Sequence, residues 1–190
     1  MTGGAPLDRV ALLSALVRGV NGQQGLVYDD VTGAAVYTDM AYWFELASYL
    51  EGQRHGRVIN CTDAGSLVTA LGNHCGVEAR VVTIGWNFQL HWIRGIGGTQ
   101  FIHDLFGGWH AFSYHDFASL DRGFTVHDAC LSVDGDGQPW SAPFSERLPQ
   151  GMSLDPYLRA LSPDAGLSGG FGSGGGPVIQ VQVTNAVRVR

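Results

Sequence analysis

Asn60-Cys61-Thr62-Asp63-Ala64 sets a thiol directly after a good helix N-cap. A cysteine there faces unpaired backbone N–H groups and the positive end of the helix dipole, which favour thiolate over thiol. Ala64, Leu67, Val68 and Leu71 continue as an apolar stripe that would bury the helix and hold its first residue rigid. A cysteine in an apolar helix is otherwise a small core residue, so a nucleophile needs partners. It needs an imidazole to share its proton and later donate it, and the imidazole needs an orienting acceptor. His110 in segment 109–115 and Asp128 in segment 123–131 lie on strand-like stretches joined by 118–122. Pairing His110 with Asp128 centres that connection on Ser119 and puts both side chains on one face, Cβ atoms about 5 Å apart.

The histidines have a second chemistry. His103, Asp104, His110, His115, His127 and Asp128 are metal-ligand types crowded into residues 103–128, so a zinc or iron site is chemically possible. No pair forms H-x-H or H-E-x-x-H, and such a site leaves the thiol helix unexplained. His110 and His115 are an odd number of residues apart, so a regular strand sends them to opposite faces. His115 and His127 are expected to be surface or hydrogen-bonded residues, and Cys75 and Cys130 packing thiols. Asp134-Gly135-Asp136-Gly137 lacks the later ligands of a calcium loop and reads as a tight turn.

Several elements must position these groups. Leu7, Val10, Leu13, Leu16, Val17 and Val20 predict an amphipathic helix over 6–20. Leu26, Val27 and Tyr28 suggest a short strand. Thr38 or Asp39 is expected to cap a second helix reaching about residue 53, with Met40, Trp43, Phe44, Ala47 and Leu50 buried. The cysteine helix runs from Asn60 to Gly72 or Gly76. Beyond Val77 the pattern turns β-branched, with strands at 80–84 and around 88–96, 99–106, 109–117 and 123–134. Residues 135–165 are rich in Pro, Ser and Asp, with a helical turn or two at 154–161. Residues 166–177 form a Gly-rich tether, and 178–183 alternate as one more strand. Helices first and strands afterwards predict α+β, with helices packed on an antiparallel sheet. The expected organisation is one domain over 1–165, the tether at 166–177, and a C-terminal strand in 178–190 available to complete the sheet.

A chain of 190 residues with 45% hydrophobic and 15% charged residues is long enough for one substantial core and excludes disorder throughout. All 11 basic residues are arginine and the net charge is −6, which argues against nucleic acid or an anionic membrane as partner. No apolar run approaches the ~18 residues of a membrane span, and no signal peptide is visible. Three cysteines at irregular spacing make no disulfide framework, which fits a cytoplasmic protein or a domain of a larger one.

Three blocks resemble the transglutaminase-like superfamily of papain-related cysteine enzymes, in that family's order of cysteine, histidine, aspartate. Cys61-Thr62-Asp63-Ala64, with Leu71 and Gly76-Val77-Glu78-Ala79-Arg80-Val81-Val82, is similar to its nucleophile helix and "G-[IV]-x-A-R" strand. His110-Ala111-Phe112 is similar to its His-Ala-aromatic strand, and Val126-His127-Asp128-Ala129 to the strand ending in its aspartate. The resemblance covers about residues 40 to 134. It implies a papain-like fold with Cys61 as nucleophile, His110 as general base and acid, and Asp128 as orienting group. It also implies acyl chemistry on an amide or related carbonyl of a peptide or protein, through a thioester and without a cofactor. The oxyanion donors it implies are the Cys61 amide and an upstream side chain, for which Trp43 is the nearest candidate. Two readings stay open beside it: a metal-dependent enzyme using His103, His110, His115 and His127, and a transglutaminase-like binding module without catalysis.

Overall fold

Asp8 accepts the Ala11 amide at 2.9 Å, and this cap starts the first helix of the computed structural model, α1 (Arg9–Asn21). The structure describes residues 8–23, 25–29, 32–52, 57–97, 111–121, 125–138, 144–165, 180–183 and 187–190. Short elements follow α1: β1 (Val27–Tyr28), β2 (Trp43–Phe44), α2 (Leu46–Glu51) and β3 (Val58–Ile59). Next come α3 (Cys61–His74), β4 (Arg80–Gln89), β5 (Ile93–Gly95), β6 (Ala111–Ser119), β7 (Thr125–His127) and β8 (Leu131–Asp134). The chain ends with β9 (Glu146–Arg147), β10 (Gln150–Ser153), α4 (Leu154–Leu161), β11 (Gln180–Val183) and β12 (Arg188–Val189).

The main sheet has the order β10-β7-β6-β4-β11, and every neighbouring pair is antiparallel. A second antiparallel sheet joins β5, β8 and β9, while β1–β3 and β2–β12 are two-residue parallel pairs. Helices packed on antiparallel sheets place the chain in the α+β class. Helix α3 lies against β6 with its backbone close: a Cβ on Gly65 would sit 3.4 Å from the Phe117 backbone N and Cα. Helix α1 packs against α3 at Gly72, where a Cβ would come within 2.7 Å of Leu13 Cδ2. Leu13, Val17, Leu67, Val68, Val81, Ile84 and Phe117 belong to the core between these layers. No helix among the described residues is long and apolar enough to cross a membrane.

Two expectations are corrected by hydrogen bonding that is local but invisible to periodicity. The second helix forms only over Leu46–Glu51, because Asp39 Oδ1 takes the Ala41 and Trp43 amides and closes a turn instead. Tyr42 sits at φ 57° in that turn, Phe44 is buried on β2, and Met40 and Leu50 are exposed. The hairpin of β6 and β7 pairs Ala118 with His127, so the reversal is not centred on Ser119, which is still within β6. Asp121 Oδ1 accepts the Thr125 amide at 2.9 Å and its hydroxyl at 2.7 Å, which fixes where the return strand starts. At the other end of the chain, β11 adds antiparallel to β4 with Val181 opposite Ile84. The tether at 166–177 and the strand expected at 99–106 lie outside the described residues.

Segment β1 depends on one glycine. Gly97 has φ +88°, and a Cβ there would lie 2.3 Å from the Leu26 carbonyl oxygen and 2.9 Å from Val27 Cα. Left-handed strain and the clash with backbone add, so Gly97→Ala is expected to cost about 2–5 kcal/mol. The check is a urea denaturation midpoint against the parent, and an unchanged midpoint refutes it.

Candidate active site

The cap expected for the cysteine helix is formed: Asn60 Oδ1 accepts the Asp63 amide at 3.0 Å, and Cys61 is the first residue of α3. Asn60 Nδ2 also donates to the Gly33 carbonyl at 2.9 Å. Asp63, in the first turn, accepts the Val36 and Tyr37 amides at 2.7 and 2.9 Å, so the preceding loop is tied down beside the helix start. Burial pushes the Asp63 carboxyl above its ordinary pKa, although these amides pull the other way. Cys61 is 4% exposed.

The histidine that meets Asp128 is His115. Its Nε2 lies 2.9 Å from Asp128 Oδ2, and both side chains are buried. The register explains the meeting. Continuing the Ala118–His127 pairing sets Asp128 opposite Phe117, and His115 is then its diagonal neighbour on the same face. Asp128 has three further donors: Tyr157 Oη donates to Oδ2 at 2.8 Å, and the Cys130 and Leu131 amides donate to Oδ1 at 2.7 and 3.2 Å. A group accepting from two amides and a phenol makes Nε2 the donor, which leaves Nδ1 as the free end of the ring. Nδ1 has no hydrogen bond of regular geometry, but the Cys61 thiol lies close enough to act on the ring. Burial opposes a charge on His115, yet the charge and hydrogen bond of Asp128, reinforced by Cys61, outweigh it and raise the pKa to about 10.

Aromatic rings enclose the imidazole. Phe112 stacks on it at 5.9 Å, and Phe117 and Tyr157 stand 6.5 Å away. Tyr28 stacks on Phe112 at 6.4 Å. The Tyr28 phenol is raised well above its ordinary value by burial first, and then by Cys61, Cys130, Tyr114 and Asp128, so it shares this chamber. A second buried carboxyl lies next to it. Asp116 accepts the hydroxyls of Thr83 at 2.5 Å, Thr62 at 2.7 Å and Tyr42 at 3.4 Å, and burial pushes it up despite them.

Of the residues singled out by sequence, Cys61 and Asp128 come together, and His115 joins them where His110 was expected. His110, His103 and Asp104 lie outside the described residues. The register expected for His110 and Asp128 is not the one that forms. Trp43 lies on β2, paired with β12, with the Arg188 guanidinium 5.3 Å from its ring. His115, expected at the surface or in a hydrogen bond, is fully buried and bonded. His127 is also buried, but neither ring nitrogen has a hydrogen-bond partner, and burial lowers its pKa to about 4. Cys130 is a buried packing thiol, whereas Cys75 is exposed at the C-cap of α3. Among the described residues no three metal-ligating side chains converge on a common point. Tyr157 was not anticipated: it sits on α4, and nothing in its local sequence distinguishes it from a core aromatic.

Comparison with models of protein families, with curated proteins and with solved structures found no match.

Proposed function

We propose that this chain is a cysteine hydrolase or acyltransferase of transglutaminase-like, papain-like type, acting on an amide or related acyl carbonyl of a peptide or protein. One observation carries the reading: a buried His115–Asp128 pair at 2.9 Å lies beside a cysteine that opens a capped helix. Cys61 gives its proton to His115 and its sulfur bonds to the acyl carbon, while the carbonyl electrons move onto oxygen. The Cys61 amide, an N–H with no acceptor inside the helix by its position, supplies one oxyanion donor. The C–N bond then breaks as His115 returns the proton to nitrogen, releasing the amine and leaving a thioester. The raised pKa of His115 lets the ring hold that proton until the amine leaves. Water, deprotonated by His115, attacks the thioester; the S–C bond breaks and the thiolate recovers the proton. An amine in place of water gives transfer instead.

His115, one of the four histidines of the metal-enzyme reading, bonds Asp128 through Nε2. The experiment is intact-mass analysis after iodoacetamide at pH 6, on the parent and on Cys61→Ala. Labelling at Cys61 that is faster than free cysteine, with only slow reaction of exposed Cys75, supports the enzyme. Reaction no faster than free cysteine overturns it in favour of a binding module.

A further inference from the structure

Strands β4 and β6 pair regularly from Arg80–Ser119 to Gly85–Tyr114 and resume at Phe88–Phe112. One extra residue of β4 is thus accommodated within the sheet, a bulge that redirects the side chains it carries. Asn87 in this bulge takes φ 56°, a left-handed backbone that costs free energy and that a glycine would adopt more readily. The flanking Ile84 and Phe88 are buried, whereas Trp86 is 53% exposed. Its ring rests on Tyr114 at 6.1 Å and 59°. The Tyr114 hydroxyl is 3.2 Å from Thr62 Oγ1 and also bonds the Asn60 side chain. Asn60 and Thr62 are the two residues that bracket Cys61. An indole left half in water on a strained bulge, one ring away from the nucleophile's neighbours, gains free energy only when something apolar covers it.

We propose that Trp86 and Tyr114 form a subsite that docks an aromatic or large apolar group of the substrate next to the acyl carbon attacked by Cys61. The inference rests on the cysteine-enzyme reading and adds the substrate class. An apolar occupant suits the chemistry present, because the polar groups here are the neutral Thr62, Asn60 and Tyr114. The Asp116 carboxyl that shares Thr62 is itself buried and taken up by hydroxyls. Aromatic faces offset as these are accept a third ring with little loss of side-chain entropy.

Two electrophiles that differ only by a benzyl group read the subsite: 2-chloroacetamide and N-benzyl-2-chloroacetamide. With either, the Cys61 sulfur displaces chloride, the C–S bond forming as the C–Cl bond breaks and chloride leaves with the electron pair. The quantity measured is the ratio of second-order rates at Cys61, benzyl over plain, by intact mass on the full chain. The parent is expected to favour the benzyl reagent about three- to tenfold, the value of one aromatic pair, beyond the ratio shown by free cysteine. Trp86→Ala is expected to bring the ratio down to that of free cysteine, and Trp86→Phe to keep most of it. Thermal melting of both variants separates loss of the subsite from loss of the fold. A parent without preference, or a folded Trp86→Ala that keeps it, overturns the subsite while labelling by the plain reagent leaves the enzyme reading standing. Failure of both reagents to label Cys61 removes both.

Discussion

His115→Ala is expected to slow alkylation of Cys61 at pH 6 by about 10²-fold or more, while His110→Ala leaves it within about twofold. The reasoning is electrostatic. A thiol without an imidazolium beside it ionises near pH 8.5, so at pH 6 well under about 1% of it is the reactive thiolate. The ring that holds a proton beside Cys61 is that of His115, fixed by Asp128 at 2.9 Å and packed between Phe112 and Phe117. Its loss does not strand Asp128, which keeps the Tyr157 hydroxyl and two amides. His115→Gln preserves more volume and serves as the second variant if the alanine form melts early. Rates come from intact-mass time courses over pH 5–8, in which the parent holds its reactivity at low pH and the His115 variants follow an ordinary thiol. The assignment fails if His110→Ala produces the loss and His115→Ala does not. For an amide substrate the same substitution removes the proton donor to the leaving amine, a further about 10²–10⁴-fold in turnover.

What the sequence made legible was local. Cys61 at a helix start could be read because Asn60 and the stripe 64–71 lie within one helix, and α3 begins where they place it. The turn at 134–137 was readable for the same reason: Asp134 Oδ1 takes the Asp136 amide at 3.3 Å and Gly137 has φ +83°. The histidine partner depended on a register, which a stretch of alternating residues does not fix. There Asp121, by capping Thr125, moved the reversal further along the chain and brought His115 within reach of Asp128. The second helix failed because the Asp39 carboxylate satisfies two amides within a turn, while the spacing of apolar residues suited a helix equally well. Tyr157 and the Trp86 bulge were unreadable for a different reason. A phenol becomes a buried donor to a carboxylate only through the docking of α4, and a bulge is set by a partner strand.

Asp128→Ala is expected to cost about 3–5 kcal/mol at neutral pH, because it leaves a fully buried imidazolium without its counter-charge. The pH dependence identifies the cause. The folded His115 pKa of about 10 lies above the ordinary 6.5, so the folded chain binds the extra proton between those values. That stabilisation is complete below pH 6.5 and is lost as pH rises through 10. In Cys61→Ala, where no thiolate offsets the proton on the ring, about 1–2 kcal/mol is expected to be lost from pH 6.5 to about 8. When Asp128→Ala is added to Cys61→Ala, burial is left as the dominant influence on the ring and favours its neutral form, so this slope disappears and stability instead falls on acidification. His127 acts below the window: its pKa of about 4 gives a contribution that is present above pH 6.5 and lost towards pH 4 in parent and variant alike. Asp128→Asn retains the shape and can still accept from Tyr157, but it cannot balance the charge, so it should lose the slope with less overall cost. Urea midpoints at half-unit steps from pH 5 to 8 measure Cys61→Ala alone and with each Asp128 substitution. A slope kept when Asp128→Asn is added would mean that Asp128 does not hold the charge, and a Cys61→Ala protein flat across 6.5–8 would mean that the buried ring is neutral. The proton that the departing amine requires would then have to come from elsewhere.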